Sequence, residues 1–498
     1  MNVNPITRLD YPDPDVIRVE DTYYMVSTTM HFMPGCEILQ SFDLVHWEHA
    51  TYVYETLDHT DAQQLKSGQN IYGQGMWAAS LRYHEGRFYI CFVANDTRKT
   101  YLYTSEKIDG PWKKQLIEGF YHDGSLLFDE DGRNYIVYGN DEIWITELNE
   151  DLTAPKKDGL HRLLVSDHKN PELGYEGSHI QKINGYYYIF LIHSLRDRWM
   201  RTEACFYSDS LEGEFTGGDV LCDDRGYCGQ GVAQGGIVDT PDGKWYAMLF
   251  QDSGAVGRLP ILLPVTWKDH FPIFGQNGHV PEEIEVHSTR PGYIYQPLVG
   301  SDDFCNGLLP RWQFNHDPDP QYYHLDALQG TYTITTREVC TELTQAVNTL
   351  TQRMSYPSCA AEVTVDASAL KEGDVAGLCA LQSCYAAVGI TKHHGKYEVL
   401  MLDKKEDGIL DMTEGTVVES HQMDFRLEAD FCNMKDEARC YYRVNKGDWL
   451  PIGTVHKLYF KLDHFTGCRF GLFCYAAEET GGSACFRDFK YYDVDEIS

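Results

Sequence analysis

Three acids recur at one position of a repeated unit. They are Asp13 in Tyr11-Pro12-Asp13-Pro14-Asp15, Asp123 in His122-Asp123-Gly124-Ser125, and Glu176 in Tyr175-Glu176-Gly177-Ser178-His179. Cleaving a glycosidic bond needs two carboxyl groups in opposite protonation states. One protonates the leaving oxygen, and the other activates water or attacks as a nucleophile. A third carboxylate close to the acid holds its pKa up by like-charge repulsion and orients it. The two prolines around Asp13 keep that backbone stiff and out of helix. The glycines after Asp123 and Glu176 let backbone or ligand approach closely. Taken singly, each acid reads equally well as a turn cap or a solvated charge, so the case rests on their shared register. The chain has no GxSxG elbow, P-loop or GxGxxG, so acyl-transfer, nucleotide and dinucleotide chemistry find no support.

The register comes from a strand, a turn and an aromatic-rich strand, repeated five times. The second strands include Thr22-Tyr23-Tyr24-Met25-Val26, Arg87-Phe88-Tyr89-Ile90, Arg133-Asn134-Tyr135-Ile136-Val137, Tyr186-Tyr187-Tyr188-Ile189 and Lys244-Trp245-Tyr246-Ala247. Asp21, Gly86, Gly132, Gly185 and Gly243 stand at the turns. Roughly 45 to 65 residues separate successive turns, the period of propeller blades. Eight or nine residues before each turn stand Asp13, Trp77, Asp123, Glu176 and Gln234. In a propeller, equivalent positions on the innermost strands lie at one level around the axis, so sequence register becomes spatial convergence. The expected fold is all-β: a five-bladed β-propeller over residues 1–297, then an antiparallel β-sandwich over 302–498. The linker falls near Arg290-Pro291-Gly292 to Ser301. Beyond it the blade unit stops and strands such as Ala360-Ala361-Glu362-Val363-Thr364-Val365 alternate with turn signals.

Composition narrows the partner. The 498 residues exceed one small core. A formal charge of -33 repels nucleic acid and anionic membranes, and by itself it is also plain solubility. Aromatic residues make up 13%, with 34 Tyr, which suits sheets and the stacking of sugar rings. The 15 Cys form no CxxC pair, which fits a reducing cytoplasm and argues against structural zinc. Neither a secretory leader nor a membrane-length apolar run is apparent. A small neutral oligosaccharide is the expected partner, with no nucleic acid and no membrane, while assembly into a homo-oligomer stays open.

The segments Pro12-Asp13-Pro14, Asp123-Gly124-Ser125-Leu126 and Glu176-Gly177-Ser178-His179 resemble the catalytic segments of glycoside hydrolase family 43, in order and blade placement. The resemblance implies Asp13 as general base, Glu176 as general acid, Asp123 as the residue that tunes and orients Glu176, and inversion at the anomeric carbon. Val256-Gly257-Arg258 resembles the family's late Gly-Arg, which makes Arg258 a residue to grip sugar hydroxyls, with a surface salt bridge as the alternative. Asp302-Asp303-Phe304 and Leu309-Pro310-Arg311-Trp312 resemble the concanavalin A-like module that follows the catalytic domain in related β-xylosidases and arabinofuranosidases. That module packs on the propeller and can help close a pocket, or serve stability alone. Many family members carry a His where Gln234 stands here. Gln234 is expected to bind substrate or a bridging water. No metal ligand is assigned and no cofactor is required, but calcium at the Gln234 position stays open.

Trp77 is the first expected sugar platform, Phe32 the second and Trp199 the third, with core packing as the alternative for each. The resulting expectation is an inverting exo-glycosidase that releases terminal pentoses, α-L-arabinofuranose first, from arabinoxylan-type oligosaccharides. β-D-Xylosidase or dual activity is the near alternative. A non-catalytic sugar-binding propeller and a phosphorolytic enzyme are the further ones, and the latter lacks a basic cluster for phosphate.

Overall fold

The structure, a computed structural model, describes residues 2–493. Five four-stranded antiparallel sheets follow one another from Asp15 to Phe274. The first strand of each sheet packs against the first strands of its neighbours, so these five line the axis: Asp15–Val19, Ser80–His84, Ser125–Phe128, Glu176–Ile183 and Val232–Asp239. Each continues through a tight turn into the aromatic second strand. Val19 pairs with Thr22, His84 with Arg87 and Ile183 with Tyr186, leaving two-residue turns. At Glu85-Gly86 and Asn184-Gly185 both turn residues have positive φ, whose twist matches that of the flanking strands.

The ring closes without borrowing a strand for the last blade. Residues 4–11 instead run along blade five. The Asn4 side chain donates to the Leu262 carbonyl at 2.7 Å, and the Tyr11 amide donates to that of Arg258 at 3.0 Å. Val16, Met25, Val238, Met248 and Leu262 form one buried cluster across the seam between blades one and five. Halfway down the axis, Arg82 donates to Asp15 at 2.8 Å, Ser125 at 2.7 Å and the Leu126 carbonyl at 2.9 Å. His179 Nδ1 lies 3.1 Å from the other Asp15 oxygen. This knot joins four blades.

After a strap that lies on blade one, where the Gln296 amide donates to Glu48 at 2.9 Å, the chain forms two packed sheets. One runs in the order Tyr323–Asp326, Thr331–Thr335, Ser483–Asp493, Ser358–Asp366, Gln422–Asp430, Glu437–Val444, Leu450–Lys457. The other is built around Val375–Leu381, Tyr385–His393, Lys396–Lys404 and Arg469–Tyr475, and ends at Gln313–Asn315. Trp312, 1% exposed, anchors the entry into the sandwich, its indole N–H donating to Asp302 at 2.9 Å.

The two domains share structure. The propeller strand Phe32–Met33 pairs with Phe314 and Asn315 and so extends a sandwich sheet. Ala255, Val256 and Leu259, from the second hairpin of blade five, are buried in the sandwich core.

Candidate active site

The five equivalent positions meet. Asp13, Trp77, Asp123, Glu176 and Gln234 all line one cavity of about 190 Å³, at the end of the axis where the inner strands begin. Trp199 and Arg258 line it too. The volume lies below the ~300–1,000 Å³ of sites for drug-sized ligands and suits a single sugar ring. A wider cavity of about 460 Å³ opens at the far end of the axis. Its charged residues are Arg18, Arg82, Glu130, Lys182 and Asp239, where Arg18 pairs with Asp239 and Lys182 with Glu130, so no acid is left over for general acid–base work.

Local backbone geometry aims the acids. Asp13 (φ 53°), Asp123 (φ 48°) and Gln234 (φ 63°) all adopt the left-handed region just where the chain enters an inner strand. That region is uncommon outside glycine and is best tolerated by Asp and Asn. Residues held in such sparsely populated regions cost of order 1–3 kcal/mol each and persist where the surroundings over-determine them. Here the Pro12 carbonyl is fixed by the Thr28 amide at 3.1 Å and the Ser27 hydroxyl at 2.7 Å.

Asp13 is 3% exposed. Its Oδ1 accepts from Arg258 Nη1 at 2.6 Å and its Oδ2 from the Thr28 hydroxyl at 2.5 Å. Arg258 Nε donates to Asp252 at 3.1 Å, and Asp252 also pairs with Arg201. The Arg258 guanidinium lies 4.5 Å from the Phe250 ring centroid and 3.9 Å from that of Phe465, a cation–π arrangement in a desolvated place. Arg258 is thus part of a buried ion network, not the surface salt bridge that was its alternative.

The other two acids share a different neighbour. The Gly177 amide donates to Asp123 Oδ2 at 2.8 Å, and Asn140 donates to Glu176 Oε2 at 2.7 Å. Between them His122 Nε2 lies 3.6 Å from Asp123 and 3.5 Å from Glu176, with no closer hydrogen bond of its own. Burial pulls the imidazole down, but the charges of Asp123 and Glu176 prevail and raise it to about 9. Asp123 is pushed up to about 6 by burial, opposed by His122 and aided by the charges of Glu176 and Asp13. Glu176 moves the other way. Burial pushes it up, yet the His122 contact, with Arg201 and Arg258, brings it below the ordinary carboxylate value. The expectation that a like charge holds Glu176 up therefore needs correcting, because two arginines and an imidazolium stand close enough to outweigh it. Of the three groups, His122 is therefore the one most inclined to hold a proton, next to Glu176.

Phe32, the second expected platform, does not line the cavity. It is 2% exposed, and its ring carries the Arg469 guanidinium at 3.4 Å, so it is spent on the domain interface. Trp77 does face the cavity, with Phe465 5.3 Å away in an edge contact. His122, Arg201, Leu462 and Phe465 line the pocket without having been anticipated. His122 stood beside Asp123 and was legible as a neighbour. Leu462 and Phe465 come from a sandwich loop far along the chain and carry no local signal.

Behind Gln234, the carboxyl of Glu203 is fully buried and accepts from the Gln234 amide at 2.7 Å. Burial raises its pKa well above the usual range. Among the described residues, the group whose His, Cys, Asp or Glu donor atoms converge is His122, Asp123 and Glu176, within 4.8 Å of one another. A cation held there would occupy the acid itself.

Comparison with known proteins fits this geometry. The profile of glycosyl hydrolases family 43 matches residues 3–272. This chain belongs to that family. It is therefore a glycoside hydrolase. The profile of the beta xylosidase C-terminal concanavalin A-like domain matches residues 301–492. A structure described as a bifunctional GH43-CE protein of Bacteroides eggerthii is 42% identical, with a TM-score of 0.91; the match covers 99% of this chain and 63% of that one. A "Beta-xylosidase" of Formosa agariphila is 26% identical over 99% of this chain and 89% of its own length. A "Xylosidase/arabinosidase" of Butyrivibrio fibrisolvens is 24% identical over 99% of both chains.

Proposed function

We propose that this family-43 hydrolase is an inverting exo-enzyme that removes single terminal pentoses, α-L-arabinofuranose first, from arabinoxylan-type oligosaccharides. The observation that carries this reading is the small pocket in which the paired carboxylate of Asp13 shares a wall with the Asp123–His122–Glu176 cluster, closed over by Phe465. Relatives named as xylosidases and as xylosidase/arabinosidases favour β-D-xylose as the second substrate.

In this reading Asp13 is the base that activates water, with Arg258 and Thr28 fixing both of its oxygens. Glu176 protonates the leaving oxygen. Its proton arrives from His122, 3.5 Å away, as that contact tightens around the bound sugar. Asp123 is positioned by the Gly177 amide, and its negative charge keeps the proton within the cluster. Trp77 offers its ring face to the sugar. The pathway needs no metal. The fifteen free thiols favour a cytoplasmic setting, where short imported oligosaccharides would be the substrates.

A panel of nitrophenyl pentosides, with and without chelator, tests this reading. Turnover of the α-L-arabinofuranoside at or above that of the β-D-xyloside, unchanged by chelator, is expected. Turnover restricted to the xyloside would reverse the preference, and loss of activity on chelation would reject metal-free catalysis.

A further inference from the structure

We infer that Asp10 is a positioning residue that sets the closure of the pocket, by holding the sandwich loop that carries Leu462 and Phe465 against the backbone of Arg258. The inference rests on this pocket being the sugar site. Asp10 does not line it. It is 2% exposed, and its carboxylate is divided between the two domains. Oδ1 accepts from the Arg258 amide at 2.7 Å, in blade five. Oδ2 accepts from the Gly467 amide at 2.8 Å, in the sandwich. The Asp10 carbonyl accepts from Arg353 Nε, also in the sandwich, at 2.9 Å.

The surroundings leave no slack. A Cβ on Gly257 would stand 2.1 Å from Asp10 Oδ1, and one on Gly467 would stand 2.0 Å from the Val256 carbonyl oxygen. The Cys468 amide donates to the Ala255 carbonyl at 2.8 Å, so the sandwich loop lies flat on the blade-five turn, with Asp10 as the wedge between them. Phe465 stands two residues before Gly467, and its ring rests 3.9 Å from the Arg258 guanidinium that holds Asp13. One carboxylate therefore fixes the backbone of the arginine that orients the proposed base, and also the backbone beside the ring that lines the pocket.

An ionised carboxylate accepts on both oxygens, whereas an amide accepts on only one atom and would face the other N–H with a donor. Asp10→Asn must therefore release either Gly467 or Arg258. The experiment compares wild type, Asp10→Asn, Phe465→Ala and the double variant, measuring KM and kcat on a nitrophenyl pentoside and amide hydrogen exchange at residues 458–468. The shorter contact, to the Arg258 amide at 2.7 Å, is the one expected to survive in Asp10→Asn, so KM should rise about tenfold with kcat changed less than about threefold as the Gly467 bond is lost. Exchange should quicken in the loop and not in the blades. In the Phe465→Ala background the same substitution should change KM less than about twofold, because the ring it positions is gone. Unchanged KM, or additive effects in the double variant, would overturn the inference. If Asp10→Asn does not fold, Gly467→Ala displaces the loop from the sandwich side and is expected to raise KM in the same way; unchanged KM there would equally overturn it. Wild-type protein that turns over no pentoside would instead count against the proposed substrate.

Discussion

Arg258 Nη1 donates to Asp13 Oδ1 at 2.6 Å, although 245 residues separate the two. The contact spans the seam where the last blade meets the first, so closure of the ring and orientation of the proposed base are one event. Arg258→Ala would leave Asp13 with Thr28 alone and Asp252 with Arg201 alone. Breaking one partner out of a buried charge network costs on the order of 3–5 kcal/mol. The expected result is a fall in kcat/KM of at least about a hundredfold and a lower Tm. Arg258→Lys should recover only part of the activity, since an ammonium cannot donate to Asp13 and Asp252 in the same fork. Steady-state kinetics and a thermal melt check both.

His122 is expected to govern the ionisation of both neighbouring acids. Its charge lowers Asp123 and Glu176 alike, so His122→Phe should move both carboxyl titrations to higher pH. Carbon-13 NMR of labelled side chains measures this directly. Titrations that stay in place, or move to lower pH, would remove His122 from the proton path.

Asp10 gives a stability signature of its own. Burial pushes it up to about 6, against the two amides and the charges of Arg353 and Arg469. Between about pH 4 and pH 6 the folded chain therefore holds a proton that the unfolded chain, with an ordinary aspartate, has already released; above that range the carboxylate is ionised and accepts from both amides. That contribution is complete below the unfolded value and is lost as pH rises through about 6. Asp10→Asn cannot ionise, so the stability difference between variant and wild type should shift in the variant's favour by on the order of 2–3 kcal/mol between pH 4 and pH 7. Denaturant unfolding at both pH values is the check, and a pH-independent difference would contradict the assignment.

Phe465→Ala should raise KM about tenfold while leaving the fold intact, because the ring packs on Arg258 and Trp77 at the pocket wall and not in the sandwich core. Wild-type KM in this variant would mean that the sandwich closes nothing.

How much of this could be read in advance follows from how local each feature is. The blades were legible because a tight turn and an aromatic strand are neighbours in sequence, and register then carried Asp13, Trp77, Asp123, Glu176 and Gln234 into one pocket. Phe32 was misplaced because its partners, Asn315 and Arg469, lie across the domain interface. Phe465 and Arg201 went unread for the same reason, since their meaning comes only from packing between distant segments. His122 was adjacent to Asp123 but carried no repeat signal, and its charge reverses the ionisation expected for Glu176.

In the proposed mechanism Asp13 and Glu176 act from opposite sides of the bond, with water between base and sugar. The most direct test is proton NMR of the first sugar released from a nitrophenyl α-L-arabinofuranoside, recorded before mutarotation. The inverted β-anomer is predicted, with its formation slowed roughly 10²–10⁴-fold in Asp13→Asn. A first-formed α-anomer would exclude inversion, because retention requires one of these acids to attack the sugar itself.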